Sequence, residues 1–158
     1  MIVRAAEASE VPRIARLWHA GWQDAHAALM PDEIKRIRTV ENFELHLTKT
    51  LADARVAGPV GAPVGFSLMK GDELNQLYVA AEARGTGVAA ALIADAELRL
   101  KAKGAPLIWL ACAIGNGRAA RFYDKSGWRN TGVSTIQLDM PDGALFPLDI
   151  WRYEKMLA

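Results

Sequence analysis

Apolar positions recur along this chain with two periods, and the points where one gives way to the other divide it into elements. Ile2 to Ala5 predicts a short first strand. Val11, Ile14, Ala15, Leu17, Trp18 and Trp22 then return at helical spacing, with Ser9 as N-cap and Pro12 in the first turn. Pro31 interrupts, Asp32 and Glu33 open a second helical segment, and Ile34, Ile37, Val40, Phe43, Leu47 and Leu51 continue it. The turn cluster Gly58 to Pro63 separates Arg55-Val56-Ala57 from Val64 to Met69 and predicts a β-hairpin.

Lys70-Gly71-Asp72 is the next turn, and Glu73 to Val79 the next strand. A helix from about Gly87 to Lys103 ends at Gly104, with Lys101 and Lys103 in its last turn. Leu107 to Ala113 reads as a buried strand, Arg118 to Lys125 as a short helix ended by Gly127. Two last strands run at about Trp128 to Leu138 and Leu148 to Met156. The strand–helix–strand unit from Glu73 to Ala113 implies a parallel pair with a right-handed crossover, and the remaining pairings are antiparallel. The class is therefore α/β or α+β with a mixed sheet.

At 158 residues the chain fits one domain, 1–158, with a sizeable core. Its 19 basic and 18 acidic side chains leave a formal charge of +1, which gives no reason to expect nucleic acid or an anionic membrane as partner. The single cysteine, Cys112, rules out an internal disulfide framework and fits a reducing compartment. The longest nearly uninterrupted apolar run, Ala105 to Ile114, is too short to span a bilayer. A cytoplasmic location is the default expectation.

The stretch Arg84-Gly85-Thr86-Gly87-Val88-Ala89 joins a strand to a helix. Glycines there let the backbone approach a ligand, and the helix start adds unpaired N–H groups and the positive end of its dipole. Such a joint suits an anion, most often a phosphate. A ligand-free tight turn is the plain alternative. A dinucleotide fold is another, since Gly85, Gly87 and Ala90 match G-x-G-x-x-A. That fold wants the strand to run directly into the first glycine and an acid at the end of the next strand. Here Ala80 to Arg84 intervene, and the next strand ends Cys112-Ala113-Ile114. No Gly-Lys-Ser/Thr follows, which excludes a P-loop.

Leu77-Tyr78-Val79, a short acid-containing turn and then Arg84 to Ala89 resemble the acyl-CoA signature R/Q-x-x-G-x-G/A of the GNAT superfamily of N-acyltransferases. Asn116 to Trp128, with Phe122-Tyr123 on a helix before Gly127-Trp128, is similar to the family's second motif. The resemblance implies a mostly antiparallel central sheet of six to seven strands, one splayed parallel pair and about four helices. It implies transfer of an acetyl group from acetyl-CoA to the primary amine of a small molecule, or of a peptide or protein, by direct attack in a ternary complex. No metal is needed. Dimers are common in the family, so a homodimer is compatible. A non-catalytic acyl-CoA-binding sensor is the alternative; removing the Tyr123 hydroxyl would abolish turnover but not binding only if the protein is an enzyme.

The resemblance also implies residue roles. Backbone N–H groups of Gly85, Thr86, Gly87, Val88 and Ala89 would hold the coenzyme diphosphate, with Arg84 adding charge or serving as a surface arginine. The pantetheine arm would run along Glu73 to Val79 as an added strand. Leu77 N–H would polarise the thioester carbonyl and Val79 would bond the arm; both are equally core strand positions. Tyr123 would be the general acid, or an aromatic core residue. Glu73 would be the general base, or a solvated acid with a water as base. Asn116 would bond the coenzyme arm or cap its helix. Trp22, Asp24 and Tyr78 are candidate acceptor contacts.

Other residues attract attention without carrying chemistry. Cys112 among apolar neighbours reads as an inert thiol. His19, His26 and His46 have no metal spacing and read as packing or surface positions. The basic run from Lys35 to Arg38 reads as a solvated helix face.

Overall fold

The computed structural model describes residues 2–158. Strands β1 (Val3–Ala5), β2 (Ala54–Ala57), β3 (Gly65–Lys70), β4 (Glu73–Val79), β5 (Leu107–Ala113), β6 (Arg129–Asp139) and β7 (Leu145–Met156) form one sheet in the order β1-β2-β3-β4-β5-β7-β6. Every neighbouring pair is antiparallel except β4–β5, which is parallel. Helices α1 (Val11–His26), α2 (Asp32–Ile37), α3 (Val40–Thr50), α4 (Val88–Ala102) and α5 (Gly117–Lys125) complete the fold. No helix of the described residues is long and apolar enough to cross a membrane.

The apolar stripe of α1 lies against the sheet and α3. Ile14, Ala15, Trp18 and Trp22 are buried there, and the Trp18 ring stacks on Phe43 at 4.2 Å. Such burial removes roughly 1.5–3 kcal/mol worth of apolar surface per large side chain from water. Gly21 lets α1 settle directly on β4, because a Cβ there would collide with the Tyr78 ring. On the other face, α4 packs Val88, Leu92, Ile93 and Ala96 against β3, β4 and β5.

Two local expectations change. The segment after Pro31 is two helices, not one. It breaks at Arg38-Thr39, where the Thr39 hydroxyl caps α3 by accepting from Asn42 N–H at 3.2 Å and Asn42 Nδ2 donates to the Ile37 carbonyl at 2.6 Å. Local side-chain hydrogen bonds compete with helix continuation, and they win here. Ser9 is not the N-cap of α1; a 3₁₀ turn, Ala8–Glu10, precedes the helix, and Glu10 is buried against Arg4 and the Glu7 N–H.

The hairpin expected across Gly58 to Pro63 forms as β2–β3. Register shifts once along β3–β4: Leu68 faces Gln76 but Met69 faces Leu74, leaving Asn75 as a bulge residue. The bulge lets Leu74 and Leu77 both pack toward α4, while Tyr78 packs toward α1.

Candidate active site

β4 and β5 touch in register only at Glu73 and Trp109, backed by a Trp109 N–H bond to the Asp72 carbonyl. Beyond that point they diverge, and the wedge opens into a cavity of about 500 Å³. Alternate residues of a strand present N–H and C=O to opposite sides. Ala80 N–H bonds Val64 C=O on the β3 side, so Tyr78 and Gln76 also face β3, and Leu77 and Val79 face the wedge.

The glycine bend forms one rim of this cavity. Gly85 and Gly87 have φ of +77° and +88°, a region that side chains rarely adopt, and a Cβ at either would meet nothing in the protein within 4 Å. Open space above two left-handed glycines leaves room for a ligand against the backbone. Gly87 is the N-cap of α4, and its carbonyl accepts from Ala91 N–H. The N–H groups of Val88, Ala89 and Ala90 therefore have no acceptor within the helix. The Thr86 hydroxyl donates to the Ala83 carbonyl and tightens the turn.

Arg84 and Asp24 come together rather than apart. Arg84 Nη2 donates to Asp24 Oδ2 at 2.7 Å, and Arg118 Nη2 donates to the same oxygen at 3.3 Å. All three side chains are exposed, so this bridge from α1 to the glycine bend and α5 is weak in water. The two guanidinium groups lower the Asp24 pKa.

Tyr123 lines the cavity from α5, among Phe122, Trp128 and Tyr153. Burial raises its pKa far above neutrality, with the nearby Cys112 adding to the shift, so the phenol stays protonated. Cys112 is buried, and its thiol is pushed up to about 11, again mainly by burial. It is not a thiolate at neutral pH. Glu73 also faces the cavity, and burial raises its carboxyl pKa. Asn116 caps α5: its Oδ1 accepts from Ala119 N–H at 3.2 Å. That fixes its Nδ2 as a donor, 3.5 Å from His26 Nε2.

Trp22 and Tyr78 line the cavity on its α1 side. The Tyr78 hydroxyl pairs with His26 Nδ1 at 3.0 Å. His26 is held down to about 4 by burial and by the charge of Arg38, so its ring is neutral at pH 7.

Two residues were passed over in the sequence. His26 packs as expected, against the Trp22 and Tyr78 rings, but it also puts its ring nitrogens between Tyr78 and Asn116. Arg38 is not on a solvated face; its guanidinium turns into the cavity wall, and its Nε is buried. His26 follows Trp22 by four positions within α1, the helical signal for the inward face, whereas Arg38 lies just past the end of α2, where that spacing no longer applies. Among the described residues no group of three or more His, Cys, Asp or Glu is placed to hold a metal.

Residues 12–128 match the model of the acetyltransferase (GNAT) family. An uncharacterised N-acetyltransferase of Mycobacterium tuberculosis is 39% identical over 120 residues, spanning 70% of this chain and 77% of that protein. The fold is shared with a GCN5-related N-acetyltransferase from Rhodopseudomonas palustris, at TM-score 0.73 and 23% identity over 98% of this chain and 94% of the other. It is shared also with the PaiA N-acetyltransferase from Thermoplasma acidophilum, whose structure is a complex with coenzyme A, at TM-score 0.69 and 18% identity over 98% of each. Since the matched residues run from the first turn of α1 past the end of α5, and so carry both motifs and the wedge between them, this chain belongs to the GNAT family and is an acyl-CoA-dependent acetyltransferase.

Proposed function

We propose that the protein moves the acetyl group of acetyl-CoA to the primary amine of a small molecule, by direct attack in a ternary complex. The observation that carries this reading is the wedge between β4 and β5, with free helix N–H groups at one end and a buried phenol on its wall.

Backbone N–H groups from Gly85 to Ala89 hold the coenzyme diphosphate, where the α4 dipole favours negative charge. Arg84 adds charge when the anion competes with Asp24 for it. The pantetheine arm lies along the open edge of β4, bonded by Val79. The amine nitrogen attacks the thioester carbonyl carbon. The Leu77 N–H faces the developing oxyanion, a device typically worth about 3–4 kcal/mol when one such donor is removed. The C–N bond forms, the C–S bond breaks, the Tyr123 hydroxyl gives its proton to the departing thiolate, and the extra proton on the new amide nitrogen returns to Tyr123 through water. An alkyl ammonium must lose a proton before it can attack. Glu73, whose raised pKa brings it nearer neutrality, accepts that proton directly or through water. The Asn116 amide, with its Nδ2 still free to donate, steadies the arm near the sulfur.

The test is calorimetric titration with coenzyme A, paired with thiol release from acetyl-CoA across a panel of amines. Association with the coenzyme and thiol release dependent on an amine are expected. No binding by well-folded protein sinks the proposal.

A further inference from the structure

Arg38 differs from the other partly buried arginines. Arg4, Arg55 and Arg152 each have a carboxylate oxygen at 2.8, 3.0 and 2.8 Å. Arg38 has no ion-pair partner among the described residues. Its Nε is buried with no hydrogen bond, and the neighbouring Tyr78 phenol, kept protonated by burial, supplies no counter-charge. It lines the same cavity as Trp22, His26, Ile34 and the β6–β7 residues Ile136 and Leu148. No carboxylate is positioned to neutralise it, and neither His26 nor His46, both disfavoured as cations by its charge, offers an anion.

A cation kept out of water without a counterion is costly. Arginine cannot relieve this by losing its proton. A partner that arrives with the ligand relieves it. The coenzyme phosphates are accounted for by the glycine bend, on the α4 side of β4. Arg38 lies on the α1 side, with Tyr78 and His26. The planar guanidinium fork matches a carboxylate in two parallel hydrogen bonds. The surrounding wall is aliphatic and aromatic, and the cavity must also hold the acyl end of the coenzyme.

We infer that the acceptor is a small amine bearing a carboxylate, an amino acid with an apolar side chain, and that Arg38 binds that carboxylate. The inference rests on the acyl-transfer reading above. Carboxylate binding orients the amine toward the thioester, and the β6–β7 hairpin receives the side chain.

The experiment measures kcat/KM for leucine, phenylalanine and alanine against their carboxamides, with phosphoethanolamine as a phosphate-bearing amine, in wild type and in Arg38→Met and Arg38→Lys. Each pair is read as a ratio between wild type and variant, so differences in amine basicity cancel. Arg38→Met is expected to lower kcat/KM for the carboxylates at least tenfold through KM, and to leave the carboxamides and the coenzyme Kd unchanged. It is expected to melt no lower than wild type, since it removes an unpaired charge. Arg38→Lys keeps the cation without the fork and is expected to fall between, which decides the matter if the Met variant does not fold. Equal losses on carboxylates and carboxamides overturn the inference. So does a preference for phosphoethanolamine over every carboxylate, or turnover of no amino acid while coenzyme binds. Loss of coenzyme binding in wild type would instead sink the acyl-transfer reading.

Discussion

The two ends of the cavity are built from different parts of the polypeptide. The proposed coenzyme end is mostly main chain: the glycine bend, the first turn of α4 and the open edge of β4. The other end, where we propose the acceptor binds, is side chains: Trp22, His26, Arg38 and Tyr78, brought in by two helices and a strand. Main-chain groups present the same N–H whatever the residue, provided the backbone can adopt the shape. Side-chain walls change with each substitution. One end of this fold therefore suits a constant cosubstrate, and the other is free to specialise.

The sharpest break between the two ends should come at Tyr123. Tyr123→Phe keeps the ring and its packing but removes the acid. We expect kcat to fall about 10²–10⁴-fold with coenzyme affinity unchanged, read by steady-state kinetics and calorimetry. A fall in affinity alone would move Tyr123 from proton transfer to binding.

Glu10 tests whether the acceptor wall can be loosened without touching the coenzyme end. It is fully buried at the start of α1, holds Arg4 through two 2.8 Å hydrogen bonds, and accepts from the N–H groups of Glu7 and Gly61. The bonds to Arg4, above all, hold its carboxyl down to about 2. A depressed carboxyl stabilises the fold above its unfolded value near 4.5 and loses that contribution as pH falls toward 2. His26, neutral in the fold down to about 4, weakens the fold further from about pH 6.5 downward. Glu10→Gln should cost about 3 kcal/mol at pH 7 and flatten the acid limb between pH 4.5 and 2, measured by urea unfolding across pH. Acceptor KM should rise more than coenzyme Kd.

Gly87→Val probes the coenzyme end alone. The folded chain has space for a Cβ here, so the burden is the left-handed backbone and the ligand's lost approach. Coenzyme affinity should drop on the order of 100-fold, about 2.7 kcal/mol. Intact affinity would mean that the bend does not hold the diphosphate.

Asp24→Asn touches the seam between the ends and should do least. It frees Arg84 and Arg118 from a shared, exposed partner. Coenzyme affinity should rise by no more than about fivefold, and its salt dependence should steepen. A large loss would make Asp24 a structural tie.

The glycine bend was readable because glycine is conspicuous. A left-handed turn before a helix leaves a fixed residue spacing, and Gly85 and Gly87 sit where that geometry needs them. Strands β4 and β5 fall on the expected residues because alternation and bounding turns mark both edges. The break between α2 and α3 was not visible in the apolar period, which continues through it. It depends on Thr39 and Asn42 outcompeting the helix. Arg38 was misread because charge in a basic run normally means solvent. Its inward turn depends on where the helix stops and on what β6 and β7, a hundred residues later, place in the same cavity.

The order of elements, the strand–helix unit and the glycine bend follow from the sequence alone, because each arises within a few neighbouring residues. The tertiary structure alone decided how far β4 and β5 part, that Asp24 would bridge two arginines, and that His26 and Arg38 would face a common cavity. Those outcomes depend on contacts between segments distant in the chain, and no local pattern encodes which of them will meet.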